Sequence, residues 1–148
     1  MGRILGVDYG RRRIGVSISD PLGLTAQPFD TWKGLNREEV LKKIHTLVEQ
    51  LGVERVVVGF PLTLKGEEGT MAEEVKRFAT KLERRIRIPV TLWDERLTSV
   101  EAQRILHWME EKPSRKKEKI DLIASALLLQ NYLEYREMAS REHHGEER

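Results

Sequence analysis

Asp8, the Asp94–Glu95 pair and Asp121 occupy places where an acid is costly unless it is used. Asp8 closes the apolar run Arg3–Asp8 (RILGVD), and Asp94 and Glu95 close the run Ile88–Glu95 (IPVTLWDE). A carboxylate drawn out of water needs a partner, and a metal ion is one. Successive strand residues face opposite sides, so only one of Asp94 and Glu95 need point into a common site. Asp121 opens the final helix, and counting by three and four from it reaches Ala124, Ser125, Leu128 and Tyr132. It therefore shares a largely apolar stripe that should face a sheet. Three acids at the ends of central elements can converge into an oxygen-ligand cluster for Mg²⁺ or Mn²⁺. Each also has a plainer reading: an Asx turn before Gly10 for Asp8, solvated loop charge for Asp94–Arg96, and helix-dipole complementation for Asp121. Singly, each plain reading holds at least evenly; jointly they weaken.

Other chemistries are excluded or poorly supported. There is no cysteine, hence no disulfide, thiolate zinc site or cysteine nucleophile. His45, His107 and His143–His144 have no convincing ligand spacing. Gly6–Asp8–Gly10 joins a strand to a strand, not to a helix, so it is no dinucleotide fingerprint. A serine-hydrolase elbow is missing. No apolar run approaches the roughly 20 residues needed to cross a bilayer. Arg3 and Asp8 interrupt the only short apolar stretch near residue 1, unlike a signal peptide, so the cytoplasm is the expected compartment.

The elements that must position the acids read in order from period and punctuation. Ile14, Val16 and Ile18 alternate through Arg13–Ser19, and Thr25–Trp32 returns as a third strand; the short connections make the first three strands an antiparallel meander. Asn36–Leu51 changes to helical spacing, with Asn36 as cap and Gly52 as stop. Arg55–Gly59 is a β-branched run suited to a strand buried on both faces. A loop over Phe60–Gly69 leads to a helix over Thr70–Arg85 and the strand Ile88–Glu95. Thr98–Glu101 reads as a capping box opening a helix to Glu110. Lys112–Lys119 reads as a basic loop, Ile120–Glu137 as the last helix. The order β β β α β α β α α predicts an α/β fold, a mixed sheet with helices packed against it. Length fits one domain, 1–138, followed by a polar, frayed tail, 139–148.

Four blocks, Gly6–Asp20, Val56–Leu82, Pro89–Leu106 and Lys119–Glu134, together resemble the YqgF/RuvX family of the ribonuclease H-like superfamily, in order and over nearly the whole chain. The loop around Pro61–Gly69 matches in its Pro and Gly positions, whereas Thr63–Leu64–Lys65 departs from the family's polar–Met–Asp form. The resemblance implies a central five-stranded mixed sheet of the ribonuclease H-like fold and a nuclease, associated with maturation of the 5′ end of pre-16S ribosomal RNA and with Holliday junction resolution. It places the family's acids on Asp8, Glu95 and Asp121. The mechanism it implies is phosphodiester hydrolysis assisted by Mg²⁺ or Mn²⁺, with Asp8 as the central ligand between two ions and Glu95 and Asp121 completing the oxygen shell.

The formal charge is only +2, from 26 Lys and Arg against 24 Asp and Glu, which excludes a uniformly basic coat. The basic residues are nonetheless uneven. Arg11, Arg12 and Arg13 follow Asp8, and Arg115, Lys116, Lys117 and Lys119 precede Asp121. A charge run is ordinarily a solvated face; beside these acids, contact with phosphates becomes the better reading. Arg96 divides equally between phosphate contact and pairing with an acid. Trp93 and Trp108 are expected in the core. The expected partner is structured RNA, with branched DNA as the alternative, no membrane, and a monomer or weak homodimer. Two further readings are a non-catalytic RNA-binding module and, less favoured at this length, a fragment of the actin and sugar-kinase type.

Overall fold

The computed structural model of the chain describes residues 2–61, 68–95 and 117–146. The strands are β1 (Arg3–Tyr9), β2 (Arg13–Ser19), β3 (Ala26–Lys33), β4 (Val53–Phe60) and β5 (Val90–Asp94); the helices are α1 (Arg37–Leu51), α2 (Thr70–Ile86) and α3 (Lys117–Glu146). The sheet order is β3-β2-β1-β4-β5. β1 pairs antiparallel with β2, as does β2 with β3, while β4 runs parallel to both β1 and β5. This is the predicted mixed sheet, with β1 at its centre.

Alternation along the strands separates two cores. Leu5, Val7, Ile14, Val16, Val56 and Val58 point to the face covered by α1 and α2, where Val40, Ile44, Phe78 and Leu82 meet them. Ile4 and Val57 point to the other face and pack with Leu129, Tyr132 and Leu133 of α3. β4 is thus buried on both sides, as its β-branched run requires. Asn36 caps α1 by accepting from the Glu39 N–H at 2.9 Å, and Glu39 returns the bond to the Asn36 N–H, while Gly52 ends the helix in the left-handed region.

Most boundaries differ from the sequence reading by one or two residues, and α3 differs by more. α3 starts at Lys117, three residues inside the expected basic loop, and runs to Glu146 rather than stopping at Glu137. Past Glu137 no Pro or Gly intervenes before Gly145, and Arg141 pairs with Glu137 one turn back at 2.7 Å. The expected helix from Thr98 to Glu110 lies outside the described residues, as does Trp108. Trp93 packs against Tyr132 and Tyr135 and donates its indole N–H to Asn131 at 2.9 Å. No helix among the described residues is long and apolar enough to cross a membrane.

Candidate active site

Asp8 sits near the end of the central strand, where β1 faces α3. Its register partner on β2 is Gly15. A Cβ at Gly15 would lie 2.4 Å from the backbone oxygen of Asp121. The first turns of α3 can therefore approach the sheet only over a glycine, and this approach brings Asp121 beside Asp8. A buried hydroxyl pair fixes the same contact: Ser17 donates to the Ser125 carbonyl at 2.9 Å, and the Ser125 hydroxyl stands 3.0 Å from Ser17 Oγ and 3.2 Å from the Gly6 carbonyl.

Glu95 directly follows β5. The adjacent strand β4 carries Gly59, in register with Trp93. A Cβ on Gly59 would meet Glu95 Oε1 at 2.5 Å and Leu128 Cδ2 at 3.1 Å. The glycine within the Val56–Phe60 run leaves the space in which the Glu95 carboxyl folds over the sheet toward Asp8. Of the two acids ending β5, Glu95 is the one whose carboxyl hydrogen-bonds with that of Asp8.

The electrostatics follow from this crowding. Burial pushes the Asp8 carboxyl up to about 8, with the charge of Glu95, their mutual hydrogen bond and the charge of Asp121 adding to it. Burial raises Glu95 too; the bond with Asp8 opposes that rise and Asp94 reinforces it. Two carboxyls this buried and this close resist ionising together, so the pair favours holding one proton. Two hard-oxygen carboxyls in need of positive charge fit a divalent cation of the Mg²⁺ or Mn²⁺ kind. Asp121 lines the same cleft as Asp8, a space of about 320 Å³. Its carboxylate, however, accepts from Arg13 Nε at 2.6 Å. Among the described residues, no three His, Asp or Glu side chains are gathered closely enough to hold a metal. Two of the three expected ligands converge, and the third is held by an arginine at the rim.

The basic residues divide. Arg11 pairs with Glu74 of α2 at 2.8 Å and holds that carboxyl below its ordinary range. Arg13 is engaged by Asp121, and Arg12 is exposed with no ion pair among the described residues. Arg96, Arg115 and Lys116 lie outside the described residues, and of Lys117 and Lys119 the structure describes the backbone alone, in the first turn of α3. The sequence reading did not single out Gly15 or Gly59. A glycine interrupting a β-branched strand was the available signal for Gly59.

The chain is 47% identical over 135 residues to an Acetivibrio thermocellus protein named "Putative pre-16S rRNA nuclease", covering 89% of this chain and 95% of that one. A Koribacter versatilis protein of the same name is 42% identical over 135 residues, covering 91% and 88%. In fold it resembles T. thermophilus RuvC in complex with a Holliday junction substrate, with TM-score 0.61 and 12% identity over 91% of this chain and 96% of that one. The family model described as "RuvX: Holliday junction resolvase" matches residues 2–135, and the chain belongs to that family.

Proposed function

We propose that this chain is a metal-dependent endonuclease that hydrolyses phosphodiester bonds in structured nucleic acid, with the 5′ end of pre-16S rRNA as its substrate in the cytoplasm. The observation that carries this reading is the convergence of Asp8 and Glu95, two buried carboxyls joined by a hydrogen bond. Asp8 and Glu95 would hold the ion, with Asp121 joining them on leaving Arg13. When bound, Mg²⁺ or Mn²⁺ supplies a Lewis acid that acidifies an attacking water and offsets charge on the leaving oxygen. The chain's own contributions are distinct. Asp8, anchored in the central strand, gives the site a rigidly placed carboxyl that would hold the ion. Gly59 and Leu128 hold the Glu95 carboxyl in line with it. Arg12, exposed beside the cleft, meets a phosphate next to the scissile one, and Arg13, once free of Asp121, faces the same strand.

The names of the sequence relatives favour RNA processing. The family description and the fold likeness to RuvC support a second reading, resolution of DNA junctions. Paired cuts across a junction require a two-fold dimer. Incubating the protein with an extended pre-16S transcript and with a four-way DNA junction, each with Mg²⁺, separates the two. Cleavage of the transcript at its 5′ extension by a monomer supports the first; symmetric nicking of the junction alone overturns it.

A further inference from the structure

Across the β1–β2 turn from the carboxylates lies a second cavity, of about 500 Å³. That volume is within the range of small-molecule sites, about 300–1,000 Å³. Its floor is apolar and buried, formed by Ile14, Trp32, Val40 and Leu41. Its walls are cationic: Arg11, Arg12, Arg37 and Lys81 stand against Glu38 and Glu74 alone. Both acids are engaged, Glu38 by Arg85 and Glu74 by Arg11 and the Tyr9 hydroxyl. Arg12 and Lys81 have no ion pair among the described residues. The two cavities adjoin at the turn itself, since Tyr9, Gly10, Arg11 and Arg12 line both.

An apolar floor under cationic walls matches a nucleotide, whose base is flat and apolar on its faces and whose phosphate is anionic. A free metabolite would not require a seat adjoining the place where a phosphodiester is expected; a neighbouring nucleotide of the same strand would. We propose that this cavity seats one unpaired nucleotide of the cleaved strand, its base against Leu35 and Trp32 and its phosphate met by Arg12 and Lys81. This rests on the nuclease reading, and it narrows the substrate to one presenting an unpaired nucleotide beside the cut.

The test is equilibrium binding of the full chain in EDTA, where nothing is cleaved, read by fluorescence anisotropy. The probes are a fluorescein-labelled octauridylate and an abasic ribose-phosphate octamer of equal charge. Base seating predicts that octauridylate binds about fivefold or more tightly than the abasic strand. Leu35→Trp, which fills the rim, should erase that preference without weakening the abasic strand. Lys81→Glu, a surface change on α2, should weaken octauridylate about tenfold. Equal binding of the two probes to the wild-type chain overturns the proposal, as does an unchanged affinity in Lys81→Glu. A chain that shows this binding pattern and cleaves nothing with Mg²⁺ present would contradict the nuclease reading and leave the nucleotide seat standing.

Discussion

The carboxyl of Asp8 on the central strand hydrogen-bonds with that of Glu95, which directly follows the edge strand β5 and reaches it across Gly59 of β4. Burial, with the charge and hydrogen bond of Glu95 adding to it, raises the Asp8 carboxyl from its ordinary 3.8 to about 8, so the folded chain keeps a proton there.

That proton links stability to pH in a definite direction. Below the ordinary carboxylate range both folded and unfolded chains are protonated at Asp8, and above about 8 neither is. Between these limits only the folded chain holds the proton, so this contribution to stability is full at the acid end and is lost as pH rises toward 8. In EDTA, the melting temperature of the wild type relative to Asp8→Asn should fall from pH 5 to pH 8. The fall should amount to several degrees, given about 2–4 °C per kcal/mol for a chain of this size. A constant difference across that range would show that Asp8 is ionised throughout. Adding Mg²⁺ at pH 8 should raise the wild-type melting temperature and leave Asp8→Asn nearly unmoved.

Gly59→Ala places a methyl group where Glu95 Oε1 and Leu128 now lie. The carboxylate end can move, but the leucine is buried on α3 facing the sheet, so we expect a stability loss of about 1–3 kcal/mol by urea unfolding. Cleavage should fall further than stability explains, by about tenfold or more, because a displaced Glu95 no longer meets Asp8. Activity that follows the folded fraction alone would remove Glu95 from the site.

Arg13 and Asp121 are a rim pair, with side chains 36% and 23% exposed. Exposed pairs contribute little, so Arg13→Met should cost no more than about 1 kcal/mol of stability. It should nonetheless tighten Mg²⁺ binding several-fold, about threefold or more in calorimetry, by removing the cation that competes for Asp121. Unchanged metal affinity would mean that Asp121 takes no part in holding the ion.

Ser125→Val tests how α3 is held at Gly15 and Ser17. It leaves the Ser17 hydroxyl without one of its neighbours and adds bulk where a Cβ at Gly15 would already lie 3.4 Å from Ser125 Cβ. A loss of about 2–4 kcal/mol is expected. Ser125→Ala, which adds no bulk, should cost about half as much. Equal losses would point to the hydrogen bonds rather than to helix approach.

Much of this was legible in the sequence because the signals were local. Val40, Leu41, Ile44 and Val48 announced α1 by their spacing, and Ile14 and Val16 announced β2 by theirs. The stripe of Ser125, Leu128 and Tyr132 told which side of α3 is buried. What lay beyond reach depends on residues distant in the chain. Arg11 and Arg13 read as one run with Arg12, yet Glu74 and Asp121 take two of the three, and no local pattern says so. The extent of α3 was missed because its last turns are polar on all sides, where a buried face gives no signal and i,i+4 pairs such as Glu137–Arg141 support the helix. Gly15 and Gly59 shape the site by lacking a side chain, and such positions become visible only once the facing element is in place.

The most direct measurement of the central claim is Mg²⁺-dependent cleavage of the extended pre-16S transcript by Asp8→Asn, with transcript affinity measured in parallel. Cleavage should drop below detection, at least about a thousandfold, while affinity stays within about threefold of the wild type, because the basic residues that meet phosphate are untouched. Metal-dependent cleavage persisting in Asp8→Asn would contradict the account.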